Sequence, residues 1–568
     1  MYSAKPQVLE LAALMAAHGV TDAVVCAGAR NAPLSHTLAA CPAIRCVPLV
    51  DERSAAFTAI GMSQATGRPV AVCCTSGSAV LDMAPAVAEA FYQQVPLLVI
   101  SADRPRAWIG QMDAQTMEQP GALRTVVKHE VSLPEPHDEE TLWHCNRLIN
   151  EALMALTAGA PGPVHVNIPI GEPLYDFSAP ALPEPRVIRR HAVRGFAMDE
   201  EIAAEWTASS RPMVVVGQLA PGHGLDAPLR ALARAGCLVV IEQLSNLAGL
   251  RGHANVVDRA EALLAAPSLA GTGEEAARLA PDLVITLGGH VVSKRLKLFL
   301  RRVSPRGHWH VSPEGAAADL FQRLTRVVEA PALPVLEALA AAPRAGSDRG
   351  FLEAWGARCE RARKRARAHA FAEFCDAQVM GRFLSRMPAD ASLQLGNSMP
   401  LRNAEFSDLP EGTRVFCNRG VNGIDGSLSV AAGYASLSGR LTFCALGDLS
   451  FFYDANALWR ERVPDNLRVL LFNNGGGAIF HSRPGLVSPY RDRFIAGANA
   501  RAANYLAMDA GMDYISVCDL AGLDIALDRF CRLPGDGGET GPMLLEVFTD
   551  IDADTRQSQA LSADVAGD

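Results

Sequence analysis

Short apolar runs that end in turns of small residues alternate, along the first part of the chain, with longer stretches of helical pattern. The runs VTDAVVCAGARNAP, RPVAVCCTSGSAV and VPLLVISADRP are each typical of a strand that leads into a turn, and the helical pattern LDMAPAVAEAFYQQ lies between two of them. Strands that alternate with helices form βαβ units, in which helices cover both faces of a parallel sheet. We therefore predict a first α/β domain that closes near GPVHVNIPI.

Two further sets of the same kind follow along the chain. The proline-rich stretch EPLYDFSAPALPEPRVIRR predicts a linker, because proline blocks both helices and ladder hydrogen bonds. A second set runs from RPMVVVGQLAPG to HWHVSPEG, and a long helix near Glu353–Met387 opens a third set with the strands SLQL, TRVFC, LTFCAL and LRVLLF. We predict three consecutive doubly wound α/β domains, at residues 1–180, 195–340 and 350–568.

The composition narrows the classes of function. The 568 residues carry a formal net charge of −9, so nucleic acids and anionic membranes, which attract basic surfaces, are excluded as general partners. No apolar run reaches the roughly 18 residues of a membrane span, and the N-terminus lacks the pattern of a signal peptide. The thirteen scattered cysteines indicate reduced thiols and a cytoplasmic protein. The basic run Arg361–Arg367 predicts a solvated helix face.

Two polar loops follow neighbouring strands of the third domain. Gly447-Asp448-Leu449-Ser450 comes after LTFCAL, Asn473-Asn474-Gly475-Gly476-Gly477 comes after LRVLLF, and a crossover helix in YDANALWRERV is expected between them. A carboxylate, an amide oxygen and a carbonyl are the hard ligands that Mg²⁺ prefers, and glycines let a backbone approach phosphates. The pattern indicates a divalent cation that holds a diphosphate, against the alternative of two unrelated turns.

This pattern resembles the diphosphate-binding motif of the thiamine-diphosphate-dependent enzyme family. The resemblance implies a pyrimidine-binding, a central and a diphosphate-binding domain, in the order of the three predicted domains. It also implies a glutamate from the first domain that acts on the aminopyrimidine of the cofactor, and Glu52 in the motif DERS matches it. Helix capping is the alternative for Glu52. In the family the two half-sites come from different subunits, which implies a homodimer or homotetramer.

Further motifs narrow the resemblance to one branch of the family. They are DERSAAFTAIGMSQATGRPVAV, TSGSAV, SADRP, QTMEQPG, SKRL, GNSMPLR, NRGVNGIDG, GDLS and NNGGGAIF, spread from about residue 8 to about residue 555. That branch decarboxylates 2-oxoglutarate and adds the succinyl carbanion equivalent to isochorismate in menaquinone biosynthesis. Both substrates carry two carboxylates, which basic side chains would bind. The candidates in loops after strands are Arg30, Arg104, Lys294, Arg295, Arg402 and Arg419. For each of them, a surface or salt-bridging role is the alternative.

Position by position, the resemblance assigns further roles. Gln115 and Ser398 are expected as polar substrate contacts, and Ile424 as the apolar wedge that bends the cofactor. Asp448, Asn474 and the carbonyl of Gly476 are expected to hold Mg²⁺, or Mn²⁺ in its place. The remaining cofactor-binding candidates are Gly447, Leu449, Ser450, Ile479 and Phe480.

The chain departs from the branch at two positions. Ala29 stands where the branch usually has serine, and Ala114 stands where some members have asparagine, which affects the substrate side of the site. Two other functions stay open: a different thiamine-dependent 2-oxo-acid decarboxylase or carboligase, and a non-catalytic homologue that serves as a binding subunit.

Overall fold

The computed structural model describes residues 1–192, 195–344, 346–483, 485–533 and 540–567. Within these residues, three six-stranded sheets follow one another along the chain, and all paired strands are parallel. The prediction of three doubly wound α/β units is thus confirmed, with one sheet in each predicted segment. The residue boundaries between the domains remain a prediction.

The first sheet has the strand order β2-β1-β3-β4-β6-β5. Its strands are β1 Asp22–Cys26, β2 Arg45–Leu49, β3 Val70–Cys74, β4 Leu97–Asp103, β5 His129–Ser132 and β6 Val164–Pro169. Its helices are α1 Pro6–Ala17, α2 Ala32–Ala40, α3 Glu52–Thr66, α4 Ala79–Asp82, α5 Ala84–Gln93 and α6 Glu139–Ala155. β3 and β4 are buried along their whole length, as expected for strands covered on both faces.

The central sheet has the order β12-β11-β10-β7-β8-β9. Its strands are β7 Pro212–Val216, β8 Leu238–Val240, β9 Val256–Val257, β10 Leu283–Leu287, β11 Gly307–Val311 and β12 Arg326–Val328. Its helices are α7 Glu200–Ala208, α8 Asp226–Arg234, α9 Ala260–Leu263, α10 Glu274–Arg278, α11 Lys294–Val303 and α12 Ala332–Ala341. In this order, the chain starts at the middle of the sheet and then builds first one half and afterwards the other, as dinucleotide-binding folds do.

The third sheet has the order β14-β13-β15-β16-β18-β17, which repeats the order of the first. Its strands are β13 Ser392–Leu395, β14 Arg414–Cys417, β15 Thr442–Gly447, β16 Leu467–Asn473, β17 Asp513–Val517 and β18 Met543–Phe548. The helices are α13 Arg349–Ala368, α14 Asp376–Arg386, α15 Met399–Ala404, α16 Ser427–Ser438, α17 Asp448–Tyr453, α18 Ala478–His481, α19 Asn504–Asp509, α20 Leu520–Phe530 and α21 Ile551–Ala566. The switch point lies between β13 and β15, where ligands of open sheets bind.

Two helices join the first and third sheets within one chain. α3 and α16 occupy equivalent places, each between the second and third strands of its sheet, and they pack directly on each other. A Cβ on Gly61 would lie 2.0 Å from the carbonyl oxygen of Val430, and one on Gly433 would lie 2.1 Å from that of Thr58. Only glycine fits at these two crossings, so the close approach of the helices is specified by the sequence.

The structure corrects three details of the predicted helices. The long helix expected near Glu353–Met387 is two helices, α13 and α14, because the segment between them docks on α21, where the Ala372 N–H donates to Gln557 Oε1 at 3.1 Å. The basic run on α13 is also partly paired, since Arg363 contacts Asp258 and Arg367 contacts Asp408. The helix expected in YDANALWRERV begins earlier, at Asp448, and is followed by a single 3₁₀ turn.

Candidate active site

The loops after β15 and β16 meet at the carboxyl edge of the third sheet, as predicted from their positions. Asp448 is buried, with 2% of its surface exposed, and its carboxylate accepts the Leu449 N–H at 2.7 Å. The N–H groups of Gly475 and Gly476, in the other loop, also donate to it. Burial raises the pKa of Asp448 to about 6, although these donors act in the opposite direction.

The side-chain amide of Asn474 has a fixed orientation. Its nitrogen donates to Asp554 Oδ2 at 2.8 Å and to Asp376 Oδ2 at 3.2 Å. The hydroxyl of Thr549 lies between the same two carboxyl groups, 2.9 Å from Asp376 Oδ1 and 2.8 Å from Asp554 Oδ2. Burial and the neighbouring Asp554 raise the pKa of Asp376. Because the amide nitrogen faces the two aspartates, Oδ1 of Asn474 points away from them.

The glycine loop after β16 is braced by a third segment. The Asn499 N–H donates to the Gly475 carbonyl at 2.8 Å, and the Gly477 N–H donates to the Ala496 carbonyl at 2.7 Å. Asn499 Nδ2 also lies 3.4 Å from Asp448 Oδ2. Sequence reasoning missed Asn499, because no motif marks it and it lies 51 positions after Asp448.

Gly476 has a φ of +154°, a conformation that other residues rarely adopt. Its carbonyl accepts the Ala478 N–H at 3.2 Å and keeps a second lone pair. Ile479 and Phe480 follow at once in α18, and the Phe480 ring packs against Gly477. The predicted metal ligands and these two apolar side chains therefore lie along one short piece of chain.

The loop between β14 and α16 carries two further predicted residues. Arg419 donates through Nη1 to Asn397 Oδ1 at 3.0 Å, and the amide nitrogen of Asn397 donates to the carbonyls of Asn418 at 2.6 Å and Gly423 at 2.7 Å. Ile424 lies in the same loop and is exposed. Asn397 directly precedes Ser398, which has a φ of +74° and is the N-cap residue of α15, the helix that carries Arg402. Asn397 thus links the loops after β13 and β14.

A cavity of about 770 Å³ lies between the central and third sheets. Lys294 and Arg295 at the start of α11 line one side of it, and Arg402 lines the other. Ile479 and Arg483 also line it. Arg483 was not predicted, because it lies three residues beyond the recognised motif NNGGGAIF and its own sequence context, HSRPG, has no distinctive pattern.

The cations of this cavity differ in how they are paired. Arg295 Nη1 donates to the Glu261 carbonyl at 3.1 Å and lies 3.0 Å from Ser562 Oγ. By contrast, the side chains of Lys294, Arg402 and Arg483 form no hydrogen bond or ion pair with any residue that the structure describes. Burial lowers the pKa of Arg402. Among its charged neighbours, Glu261 acts against this shift, and the guanidinium groups of Arg419 and Arg483 add to it. The cavity therefore presents three cationic side chains that have no direct ion pair with a described residue, while the carboxyl groups of Glu242, Glu261 and Glu405 also line it.

Glu52 opens α3 at the carboxyl edge of the first sheet, but it is not the residue that caps the helix. Asp51 is the N-cap, and its Oδ1 accepts the Ser54 N–H at 3.0 Å. Burial raises the pKa of Glu52, while its own backbone N–H and the nearby Asp82 and Asp51 have smaller effects. Glu52 itself lies in the first turn of the helix, where the helix dipole favours an acidic side chain, so its role in catalysis stays a prediction.

The other predicted residues of the first segment have internal partners. Arg30 is buried, donates to the Ile170 carbonyl at 2.9 Å and contacts Glu172 at 3.3 Å. Arg104 forms an ion pair with Asp113 at 2.9 Å. Gln115 has a φ of +51° and lies against Gly77, in the loop after β3.

The predicted site residues thus form two sets within one chain. In the ranges that the structure describes, no hydrogen bond or ion pair joins Glu52, Arg30, Arg104 or Gln115 to Asp448, Asn474 or the cations of the cavity. Those ranges also contain no cluster of three or more His, Cys, Asp or Glu side chains suited to a metal ion. The donor set around Asp448 instead combines one carboxylate with amide and carbonyl oxygens.

Comparison with known proteins agrees with this architecture. Residues 10–122 match the family model described as the N-terminal TPP binding domain of thiamine pyrophosphate enzymes, and residues 184–395 match the middle domain of the same enzymes. Three of the similar proteins are named 2-succinyl-5-enolpyruvyl-6-hydroxy-3-cyclohexene-1-carboxylate synthase. The one from Bacteroides fragilis is 42% identical over 98% of both chains, and the one from Phocaeicola vulgatus is 43% identical over 98% of this chain and 97% of its own. The one from Desulfotalea psychrophila is 37% identical over 96% and 99%.

The chain belongs to this synthase family. The resemblance drawn from its motifs is thereby confirmed, and thiamine diphosphate is the cofactor of the enzymes whose N-terminal domain it shares.

A solved structure supports the fold. The thiamine diphosphate-dependent 4-hydroxybenzoylformate decarboxylase of Rhodococcus jostii superposes with a TM-score of 0.70 over 96% of this chain and 99% of its own, at 20% identity. This match bears on the architecture alone. Among the helices that the structure describes, each is too short or too polar to cross a bilayer.

Proposed function

We propose that the protein decarboxylates 2-oxoglutarate and adds the succinyl unit to isochorismate, which is the reaction that its synthase relatives are named for. The observation that carries the proposal is the set of unpartnered cations, Lys294, Arg402 and Arg483, around one cavity next to Ile479. Each substrate brings two carboxylates, and guanidinium groups bind carboxylates with paired hydrogen bonds. The full-length similarity to the synthases supports the same reaction.

The third sheet offers the groups that would hold Mg²⁺ and the diphosphate of the cofactor. Asp448 supplies a carboxylate, Asn474 an amide oxygen that faces away from its two aspartate partners, and Gly476 a carbonyl with a free lone pair. These are hard oxygen donors of the kind that Mg²⁺ takes, with Mn²⁺ as a substitute. The residues next to them, Gly447, Leu449 and Ser450, would line the diphosphate.

Thiamine diphosphate, when bound, supplies an electron sink for the loss of carbon dioxide from a 2-oxo acid. Glu52 would hold the proton exchanged with the aminopyrimidine, and burial raises the pKa of its carboxyl group, which favours the protonated form. Ile424 would press on the cofactor from the loop that also carries Arg419, and Ile479 and Phe480 would shield it from water.

The candidate substrate-binding residues fall into two groups, those with free donors and those already paired within the chain. Lys294, Arg402 and Arg483 are free to bind carboxylates, and Arg419 keeps donors beyond the one that it gives to Asn397. To bind a substrate carboxylate, Arg30 would have to give up its ion pair with Glu172, and Arg104 its ion pair with Asp113. Arg295 would instead position the start of α11. Gln115 and Ser398 would add neutral polar contacts.

We infer that the complete site lies between two copies of the chain. The Glu52 set and the Asp448 set are not bonded to each other within one copy, and exposed apolar side chains occur near both. The exposed side chains near Glu52 are those of Val50 and Leu81. Near the Asp448 set, the exposed side chains are those of Val421, Ile424 and Phe494. These side chains would be covered in the contact between the two copies, because burial of apolar surface favours association. The assembly would be a homodimer or a pair of homodimers.

Coexpression of two differently tagged chains tests the shared site. One chain carries Glu52→Gln and the other Asp448→Ala, and each variant alone is expected to be inactive. In the mixed dimer, one site would combine the intact Glu52 of one chain with the intact Asp448 of the other, so activity should return. If each site were formed within a single chain, both sites of the mixed dimer would be defective and activity would stay absent.

The reaction itself is tested by carbon dioxide release from 2-oxoglutarate with Mg²⁺ and thiamine diphosphate, with and without isochorismate, and by mass spectrometry of the product. We expect a product that contains both carbon skeletons. Carbon dioxide release without any joined product would favour the second candidate, a simple 2-oxo-acid decarboxylase. Absence of a magnesium-dependent thermal shift with thiamine diphosphate would favour the non-catalytic homologue.

We also propose a cytoplasmic location, on the basis of the thiols. All thirteen cysteines are free and most are buried, and burial raises the pKa of Cys73 and Cys237 to about 12. Buried, protonated thiols of this kind are ordinary core side chains of proteins from reducing compartments. Fractionation of cells that produce the tagged protein would test this location.

A further inference from the structure

A carboxylate of the first segment reaches into the Arg419 loop of the third. Glu89 lies on α5 and is buried, with 1% of its surface exposed. Its Oε1 accepts the Gly420 N–H at 2.6 Å and its Oε2 accepts the Val421 N–H at 2.7 Å. These two residues directly follow Arg419 in the chain, so one side chain holds the backbone next to a predicted substrate residue.

The contact is close and specific. A Cβ on Gly420 would lie 2.6 Å from the Glu89 carbonyl oxygen and 3.0 Å from its carboxyl carbon, so the loop could not sit against α5 with a larger residue there. The amide of Gln93, one helical turn further on, also donates to Glu89 Oε1. Glu89 forms no ion pair with any described residue, so N–H donors alone balance its charge.

The same loop is held from its other side by Asn397, through Asn418, Arg419 and Gly423. The central segment joins as well, because Gln218 Nε2 lies 3.1 Å from the Cys417 carbonyl and 3.2 Å from Gln93 Oε1. Residues from all three α/β domains thus meet at the start of this loop. Among the residues that the structure describes, however, only Glu89 binds the backbone directly after Arg419 with both oxygens of a carboxylate.

We propose that Glu89 is a positioning residue, which fixes the loop so that Arg419 and Ile424 face the reacting groups. The proposal rests on the proposed function, in which Arg419 binds a substrate carboxylate. A carboxylate accepts both N–H groups, whereas the glutamine of Glu89→Gln has a single acceptor oxygen and turns an NH₂ group toward the second donor. One buried N–H would then lose its partner, and the loop would shift to satisfy it.

The first measurement does not depend on turnover. Hydrogen–deuterium exchange of peptides that cover residues 418–426, in the full-length protein, should be faster in Glu89→Gln than in the wild type. The matched control is Glu10→Gln, because Glu10 is also buried in the first segment but accepts its bond from Asn146, away from the loop. Equal exchange in Glu89→Gln and wild type would overturn the proposal, whatever the enzyme turns over.

The second measurement asks whether Glu89 acts through Arg419. For holoenzyme with Mg²⁺ and thiamine diphosphate, Glu89→Gln should raise the KM of one substrate about tenfold to a hundredfold, as for loss of a charged hydrogen bond. In a double-mutant cycle, Glu89→Gln should add little to the defect of Arg419→Ala. If the KM increases of the two single variants multiply in the double variant, Glu89 acts independently of Arg419 and merely stabilises the fold. A wild type that converts neither substrate would refute the proposed function instead, and the exchange experiment would still decide the role of Glu89.

Discussion

The amide nitrogen of Asn474 lies 2.8 Å from Oδ2 of Asp554, a residue of the C-terminal helix. This bond, together with the one to Asp376, decides which end of the amide faces the loop of Asp448. A residue that would not touch the metal therefore sets the orientation of one that would. Such outer partners are a general means by which proteins orient metal ligands.

Asp554→Ala should accordingly weaken binding of Mg²⁺ in the presence of thiamine diphosphate by about tenfold, in the range known for loss of outer partners of metal ligands. Calorimetric titration of Mg²⁺ into the protein measures this effect. Asp564→Ala is the control, because Asp564 lies on the same helix and pairs with His369, away from the loop. Unchanged magnesium affinity in a folded Asp554→Ala protein would contradict the orienting role.

Glu52 and Asp51 allow catalysis and helix capping to be separated at adjacent positions. Glu52→Gln should keep cofactor affinity but lower turnover by about two to four orders of magnitude, as for loss of a positioned acid–base group. Asp51→Ala should lower stability by about 1 kcal/mol through loss of the cap and retain most of the turnover. Thermal unfolding and steady-state kinetics of both variants check the pair. The reverse pattern would make Glu52 a structural residue.

The unpartnered cations of the cavity predict a defect confined to substrate binding. Arg402→Ala and Arg483→Ala should each raise the KM of a carboxylate substrate by about one to two decades, since a charged hydrogen bond contributes roughly 1.5–3 kcal/mol. Thiamine diphosphate affinity should stay nearly constant. Arg278→Ala, an exposed arginine of α10, is the control. Normal KM values in both cavity variants would exclude these side chains as carboxylate ligands.

The two carboxyl groups at the back of the same cavity predict a pH dependence of stability. Burial, assisted by the neighbouring Glu242, raises the pKa of Glu405 to about 8, and burial raises that of Glu242 to about 7. Between about pH 4.5 and these values, the folded protein holds protons that the unfolded chain has released. The free energy of unfolding should therefore fall as the pH rises through this window, by up to ~1.4 kcal/mol per pH unit for each proton.

Glu405→Gln should flatten this slope, because glutamine stays neutral while its oxygen can still accept the Gln243 N–H that bonds to Glu405 at 3.1 Å. Urea unfolding at pH 5, 6, 7 and 8 gives the slope directly. Glu411→Gln serves as the matched control, since Glu411 is exposed. Parallel slopes for wild type and Glu405→Gln would contradict the raised pKa.

A further prediction concerns Ala29, which stands where related sequences of the same branch usually have serine. It lies exposed in the loop after β1, at the switch point of the first sheet, so a serine fits there without displacing other atoms. Ala29→Ser should lower the KM of one substrate at most about tenfold, the value of one neutral hydrogen bond, and leave cofactor affinity unchanged. Ala27→Ser, two residues earlier and also exposed, is the control. A loss of activity in Ala29→Ser alone would indicate a different acceptor substrate.

Local patterns predicted much of this molecule. The alternation of strands and helices gave three parallel sheets, and the positions of Asp448 and Asn474 after neighbouring strands were enough to bring their loops together. What stayed hidden depends on contacts between distant parts of the chain. Asp554 follows Asn474 by 80 positions and Glu89 precedes Gly420 by 331, and no period of hydrophobicity encodes such pairs. The break between α13 and α14 was missed for the same reason, since it depends on docking against α21.

The reciprocal crossing of α3 and α16 bears on how the chain arose. The first and third sheets have the same strand order, and the equivalent helix of each packs on the other. Each of these helices places a glycine against the backbone of its counterpart. This is the geometry of a symmetric pair of identical subunits, now joined on a single chain with a third unit inserted between them. A duplicated ancestral unit would leave this imprint, with one copy specialised to supply Glu52 and the other to supply Asp448 and Asn474.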